Sequence, residues 1–168
     1  MPIKPKIQTI LFATDLSENA RHAFAYAAGM ADAYNADITV LHVIEKLPPK
    51  AELFLVAILG MNDTDELREK SQSDLILKIK EHIGHFCAEM AERMPECRFS
   101  PNAVLVEPGN AADRILHHAG TGSYDALVIG THGHGIIHET MMGGTSRKVV
   151  LESPIPVFVI PMRKTDKD

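Results

Sequence analysis

Apolar residues fall along this chain in short runs, separated by stretches in which they recur every three or four positions. The run Ile7 to Ala13 predicts a buried strand. Asp15-Leu16-Ser17 breaks it, and Ser17 is placed to cap a following helix with Glu18 at its positive end. From Glu18 to Asn35 the apolar positions Ala20, Phe24, Ala27, Ala28 and Ala31 keep helical spacing, and their small size suits close packing on a sheet. Asp37 to Ile44 (DITVLHVI) is a second strand. Residues 45–64 read as irregular, with Pro48-Pro49 and an apolar island from Leu53 to Leu59; a loop of this length is often functional or a packing flap. One long helix is expected over 65–94, ended by Pro95, and a third strand over 100–106. Asn110 can cap a helix reaching about Ala119, which Gly120 and Gly122 end. Residues 125–130 (DALVIG) form a fourth strand, 143–152 a last helix and 156–160 (PVFVI) a fifth strand.

Strands and helices alternate, and every strand is short and apolar. Parallel strands need crossover connections, so the pattern predicts an α/β fold: a five-stranded parallel sheet with helices on both faces. Ligands in such sheets bind beyond the carboxyl ends of the strands, where the strand order reverses. That directs attention to the ends of the first and fourth strands.

The fourth strand runs into Gly130-Thr131-His132-Gly133-His134-Gly135, followed after Met142 by Gly143-Gly144-Thr145-Ser146 at a helix start. Glycines let a backbone approach an anion closely, and the open N–H groups of a helix start favour negative charge. Thr145 and Ser146 add hydroxyls. The chemistry this suits is the cradling of a polyphosphate. GxxxxGK[ST] is absent, which argues against a P-loop NTPase, and GxGxxG from Gly133 fails at His138.

Length and charge narrow the picture further. At 168 residues the chain suits one domain, assigned to 1–163 with a charged tail over 164–168. The net charge of -5 argues against a broad nucleic-acid-binding face. No apolar run approaches the ~20 residues that span a bilayer. Cys87 and Cys97 lack metal-ligand spacing and read as reduced thiols, which, with no signal-peptide pattern at the start, gives an expectation of a cytoplasmic protein.

The glycine-rich segment resembles the universal stress protein family, whose ATP-binding members carry G-x2-G-x9-G-[ST]; Gly130, Gly133 and Gly143 match that spacing. Ala13-Thr14-Asp15-Leu16-Ser17 after the first strand, Leu41-His42-Val43 in the second, Gly109, and Pro154-Ile155-Pro156-Val157 extend the likeness over nearly the whole chain. The resemblance implies a Rossmann-like three-layer sandwich of strand order 3-2-1-4-5 and a homodimer formed through the last strand (Val157, Phe158, Val159). It also implies ATP, ADP or AMP bound with Mg²⁺. By position, Ala13, Thr14 and Asp15 would face the nucleoside and Val43 the adenine. Gly130, His132 and Gly133 would lie along ribose and phosphate, and Gly143, Gly144, Thr145 and Ser146 would hold the phosphate tail. One departure stands out: Gly144 occupies the position where the family has Ser or Thr. Losing one neutral donor there should cost about 0.5–1.5 kcal/mol.

Competing readings remain for several residues. His132, His134 and His138 could ligate a metal, but exposed loop histidines are the default. His117 and His118 are expected at a helix surface, and His42 as a satisfied strand residue. Met141 and Met142 suit either an adaptable pocket or packing on the last helix. The island Leu53 to Leu59 suits either a flap over the long helix or a partner site. No fixed acid–base pair is evident, so the expectation is a binding module in stress signalling. The alternatives are a slow ATP hydrolase and a protein-interaction member that binds no nucleotide.

Overall fold

The computed structural model describes residues 6–45, 49–69, 72–95, 104–132 and 142–161. Strand β1 (Thr9–Thr14) leads into α1 (Glu18–Tyr34), which Ser17 caps by accepting from the Ala20 amide at 3.2 Å. Asn35 ends α1 in the left-handed conformation (φ 53°), and β2 (Asp37–Ile44) follows. Next come α2 (Pro49–Leu59), α3 (Thr64–Glu69), α4 (Gln72–Arg93) and β3 (Val104–Pro108). The chain then forms α5 (Ala111–Ala119), β4 (Ala126–Gly130), α6 (Gly144–Glu152) and β5 (Val157–Ile160). Asn110 caps α5 by accepting from the Asp113 amide at 3.1 Å.

The five strands are all parallel in the order β3-β2-β1-β4-β5, as expected from the sequence. Alternation along each strand divides the core in two. Ile10, Phe12, Ile38, Val40 and Val128 pack with Ala23, Ala27 and Ala31 of α1 and with Ile79, Ile83 and Cys87 of α4. Leu11, Ala13, Leu41, Leu127 and Ile129 point the other way, onto Ala112 and Ile115 of α5 and Val149 of α6. The alanine face of α1 lets that helix lie close to the sheet, and Phe24 fills the remaining space edge-on to Phe12, with ring centroids 5.4 Å apart.

Several expectations need correction. Residues 45–64 are not simply irregular, because 49–59 form α2. Pro49 stands at the first helical position, where its missing N–H costs nothing. Leu55 and Val56 are buried with Met61, and Leu75 of α4 packs against them, so the apolar island is a flap on α4 with Leu53 left exposed. The helix expected over 65–94 is helical over 64–69 (α3) and 72–93 (α4); residues 70 and 71 between them lie outside the described residues. Asp63 accepts from the Glu66 amide at 2.9 Å and so starts α3 as a local cap. β3 runs on to Pro108, past the predicted end at 106, in register with β2 from Val40↔Val104 to Ile44↔Pro108; residues 100–103 of the expected strand lie outside the described residues. His118 is not a surface residue. Its ring reaches from α5 to the Glu107 carboxylate of β3 at 2.9 Å and is only 15% exposed.

Asp125, just before β4, ties down the opposite end of the sheet. Its Oδ2 accepts from the Gln8 and Thr9 amides at 2.8 and 3.0 Å and from the Thr9 hydroxyl at 3.2 Å. The two backbone hydrogen bonds hold its carboxyl below the usual carboxylate range. A depressed folded-state value means the stabilisation is present above the unfolded carboxyl's titration and is lost as pH falls through the lower folded value. Asp125→Ala is expected to lower stability by about 1 kcal/mol, the small end for charge-assisted bonds because water reaches this carboxylate. Urea unfolding should show the gap between wild type and variant at neutral pH, closing on acidification.

Candidate functional site

The carboxyl ends of β1 and β4 lie side by side, with Ala13 of β1 opposite Ile129 of β4. The chain leaves β1 through a tight turn at Thr14-Asp15-Leu16. Leu16 has φ 66°, a left-handed conformation that is costly for a residue with a branched side chain. Two side chains hold the turn there. Thr14 Oγ1 accepts from the Leu16 amide at 3.1 Å, and Asp15 Oδ1 accepts from the Ser17 amide at 3.1 Å and the Ser17 hydroxyl at 2.6 Å. His42 braces the turn from β2, its Nδ1 lying 2.9 Å from the Thr14 carbonyl, so it is a satisfied strand residue as expected. Ala13 is buried in the second core cluster and Val43 packs partly against it.

At the end of β4 the two glycine turns are fastened to each other. The Gly143 amide donates to the Thr131 carbonyl at 2.9 Å, and the buried Ser146 hydroxyl donates to the Gly130 carbonyl at 2.7 Å. The Thr131 amide donates in turn to Ile160 of β5 at 2.9 Å. His132 turns its Nδ1 to the Thr131 hydroxyl at 2.9 Å. The Gly143 amide and the Ser146 hydroxyl, expected from the sequence along the phosphate tail, donate in this structure to the protein's own backbone. Gly133, His134 and His138 lie outside the described residues, as does Met141; Met142 is half-buried.

What this clamp leaves available is the first turn of α6. Gly143 is the cap residue and offers no side chain, and no acidic residue stands in the first turn. Among the described residues, the amides of Gly144, Thr145 and Ser146 have no carbonyl or side-chain acceptor. The neighbouring helix starts differ. α1 is closed by Ser17, and α5 by Asn110 together with Glu45, whose Oε1 accepts from the Ala111 amide at 2.6 Å. Among the described residues, α6 alone of these three helix starts lacks a protein carboxylate or side-chain cap, and a helix start of that kind favours negative charge.

Three structural residues escaped the sequence reading. Glu45 was discernible only as an acid following β2. The positive φ of Leu16 carries no compositional signal. Thr131 acts through its carbonyl, which any residue could supply. Among the described residues no group of three or more His, Cys, Asp or Glu side chains is placed to hold a metal ion. Cys87 is a free thiol in the core, pushed up to about 12 by burial and so unreactive as a nucleophile.

The sequence model of the universal stress protein family matches residues 6–161. A universal stress protein of Thermus aquaticus is 29% identical over 153 residues, covering 91% of this chain and 98% of the relative. The solved universal stress protein UspA from Lactobacillus plantarum superposes with a TM-score of 0.66 at 21% identity, over 94% of this chain and 99% of that one. A universal stress protein solved in complex with cAMP gives a TM-score of 0.59 at 18% identity, covering 94% and 99% of the two chains. A family protein from Arabidopsis thaliana solved with AMP bound gives 0.55 at 14% identity, covering 96% of each.

The clamp makes its own prediction. Ser146→Ala removes a buried hydroxyl and leaves the Gly130 carbonyl short of a partner, so it should lower stability by about 1–3 kcal/mol. Denaturant unfolding measures this directly, and an unchanged midpoint would remove the clamp from the account.

Proposed function

Since the chain belongs to the universal stress protein family, we propose that the carboxyl edge of its sheet binds an adenine nucleotide, with the phosphate on the first turn of α6 and the nucleoside toward the β1–α1 turn and Val43. The observation that carries this reading is the uncapped α6 start beside the reversal of strand order. The family structures solved with cAMP and AMP support the choice of adenine. On this reading Gly130 and Gly143 act as spacers: their clamp fixes where the amides of Gly144, Thr145 and Ser146 stand. Thr145, which has no hydrogen bond to another described residue, supplies the hydroxyl.

ATP with Mg²⁺ is the finer form of the proposal. The backbone donors in the first turn of α6 are neutral, Lys148 on that helix is taken by Asp113 at 2.7 Å, and Arg147 alone adds an exposed positive charge there, too little to balance a triphosphate. A triphosphate would therefore bring a divalent ion held mainly by its own phosphates and water, as Mg²⁺ commonly is. The chain would act by binding: nucleotide on α6 and the β1–α1 turn would shift the populations of those segments and so what a partner meets. A homodimer through β5 is part of the same proposal. β5 is an edge strand with one row of backbone groups unpaired within the sheet.

Isothermal calorimetry with ATP, AMP and cAMP, with and without Mg²⁺, tests the site; no heat at millimolar nucleotide overturns it. Purified protein should also release adenine absorbance on denaturation. Gly144→Ser is the sharper variant. A Cβ built at Gly144 meets nothing within 4 Å, so the side chain fits without displacing a neighbour. The restored hydroxyl should tighten nucleotide binding by up to about tenfold.

A further inference from the structure

A cavity of about 210 Å³ lies between α1, α2, α4 and the sheet, separate from the first turn of α6. Phe12, Leu16, Val40, Ile58, Ile83 and Phe86 supply its apolar walls. It meets the nucleotide site proposed above only at the β1–α1 turn, through Thr14 and Leu16. Its origin is legible in α1. At this level the helix presents Ala20, while one turn further on Phe24 fills the same gap and packs edge-on to Phe86, with centroids 5.1 Å apart. The aromatic cluster Phe12–Phe24–Phe86 thus ends at an open space that another ring would continue.

The polar rim sets the charge of what can enter. Glu18 and Arg21 place one charge of each sign there. Arg21 already lies 5.0 Å over the Phe86 ring and pairs with Glu89 at 3.4 Å. His82, half-buried at the cavity, is pushed below the usual histidine range by burial first and then by Arg21 and His85, so it is a neutral imidazole at pH 7. His82 makes no hydrogen bond to another described residue. A rim with one charge of each sign gives no net attraction for an ion, and its neutral imidazole presents one N–H donor and one acceptor nitrogen. An apolar cavity of about 150 Å³ is already large enough for benzene, so this one has room for a second small ring.

We propose that this cavity is a binding site for a small neutral aromatic molecule of one or two rings with one hydrogen-bonding group, its rings against Phe12 and Phe86 and its polar group on the His82 imidazole. The site does not depend on the nucleotide reading, and its test uses none. The chain contains no tryptophan, so indole is both ligand and reporter. Titrating the full chain with indole should give a saturable blue shift and a rise in anisotropy, with Kd at or below about 1 mM. Ala20→Leu, which extends a side chain into the space, should weaken binding at least about tenfold. Wild type should prefer indole over 1-methylindole by about tenfold, because the methylated ring cannot donate to His82. His82→Phe keeps a ring in place and should erase that preference, which keeps the proposal testable if Ala20→Leu fails to fold. Absence of a saturable shift, unchanged affinity in a folded Ala20→Leu variant, or equal affinity of wild type for the two indoles would each overturn it.

Discussion

The central position of β1, paired on one side to β2 and on the other to β4, is the constraint from which the rest of the structure follows. Right-handed crossovers that step outward from β1 through β2 to β3 lay α1 and α4 on one face. The connection from β3 back across to β4, and the next to β5, step in the opposite direction and lay α5 and α6 on the other face. The two connections that leave β1 and β4 therefore part company at their carboxyl ends. A crevice forms there without any side chain having to create it. Ala13 and Ile129 stand opposite each other because of this pairing, across more than a hundred positions of sequence.

Within that crevice the protein settles its own polar groups before any ligand arrives. The carbonyls of the half-buried Gly130 and Thr131 find partners in the Ser146 hydroxyl and the Gly143 amide. Glu45 and Asn110 do the same for the start of α5, and Ser17 with Asp15 for α1. The consequence is selective. Among the described residues at this edge, the amides of Gly144, Thr145 and Ser146 are left without an acceptor once α1 and α5 are capped. The glycines matter by permitting the clamp, and Gly143 does so as a cap without a side chain.

Much of this was legible in the sequence because it is local. α5 begins after Asn110 and ends before Gly120 as read, β2 spans 37–44 as read, and Ser17 caps α1 as read; each depends on a cap or a run that a short window contains. The parallel sheet followed from alternation, and the strand order from family resemblance. The misreadings are places where a distant contact decides. Residues 49–59 are helical because Leu55 and Val56 find Leu75 of α4. His118 is drawn inward by Glu107. At the end of β4, the Gly143 amide and the Ser146 hydroxyl are engaged by the Thr131 and Gly130 carbonyls, a pairing that no spacing in the sequence announces. Spacing tells which glycines and hydroxyls arrive together; it does not tell which donors the backbone will claim first.

The β1–α1 turn is where these local and distant influences meet. Leu16 is held at positive φ by hydrogen bonds from Thr14 and Asp15 on one side of it and by the Ser17 cap on the other, and its side chain contributes to the cavity wall. A residue kept in a sparsely populated conformation by several partners has few intermediate positions open to it. Displacing Leu16 would release the Asp15–Ser17 contacts and with them the cap of α1. Conversely, pulling the Asp15 carboxylate away from Ser17 would free Leu16 to relax and would reshape the wall it forms. If two ligands each shift this turn, one through Asp15 and one through Leu16, thermodynamic reciprocity requires each to change the other's affinity by the same factor.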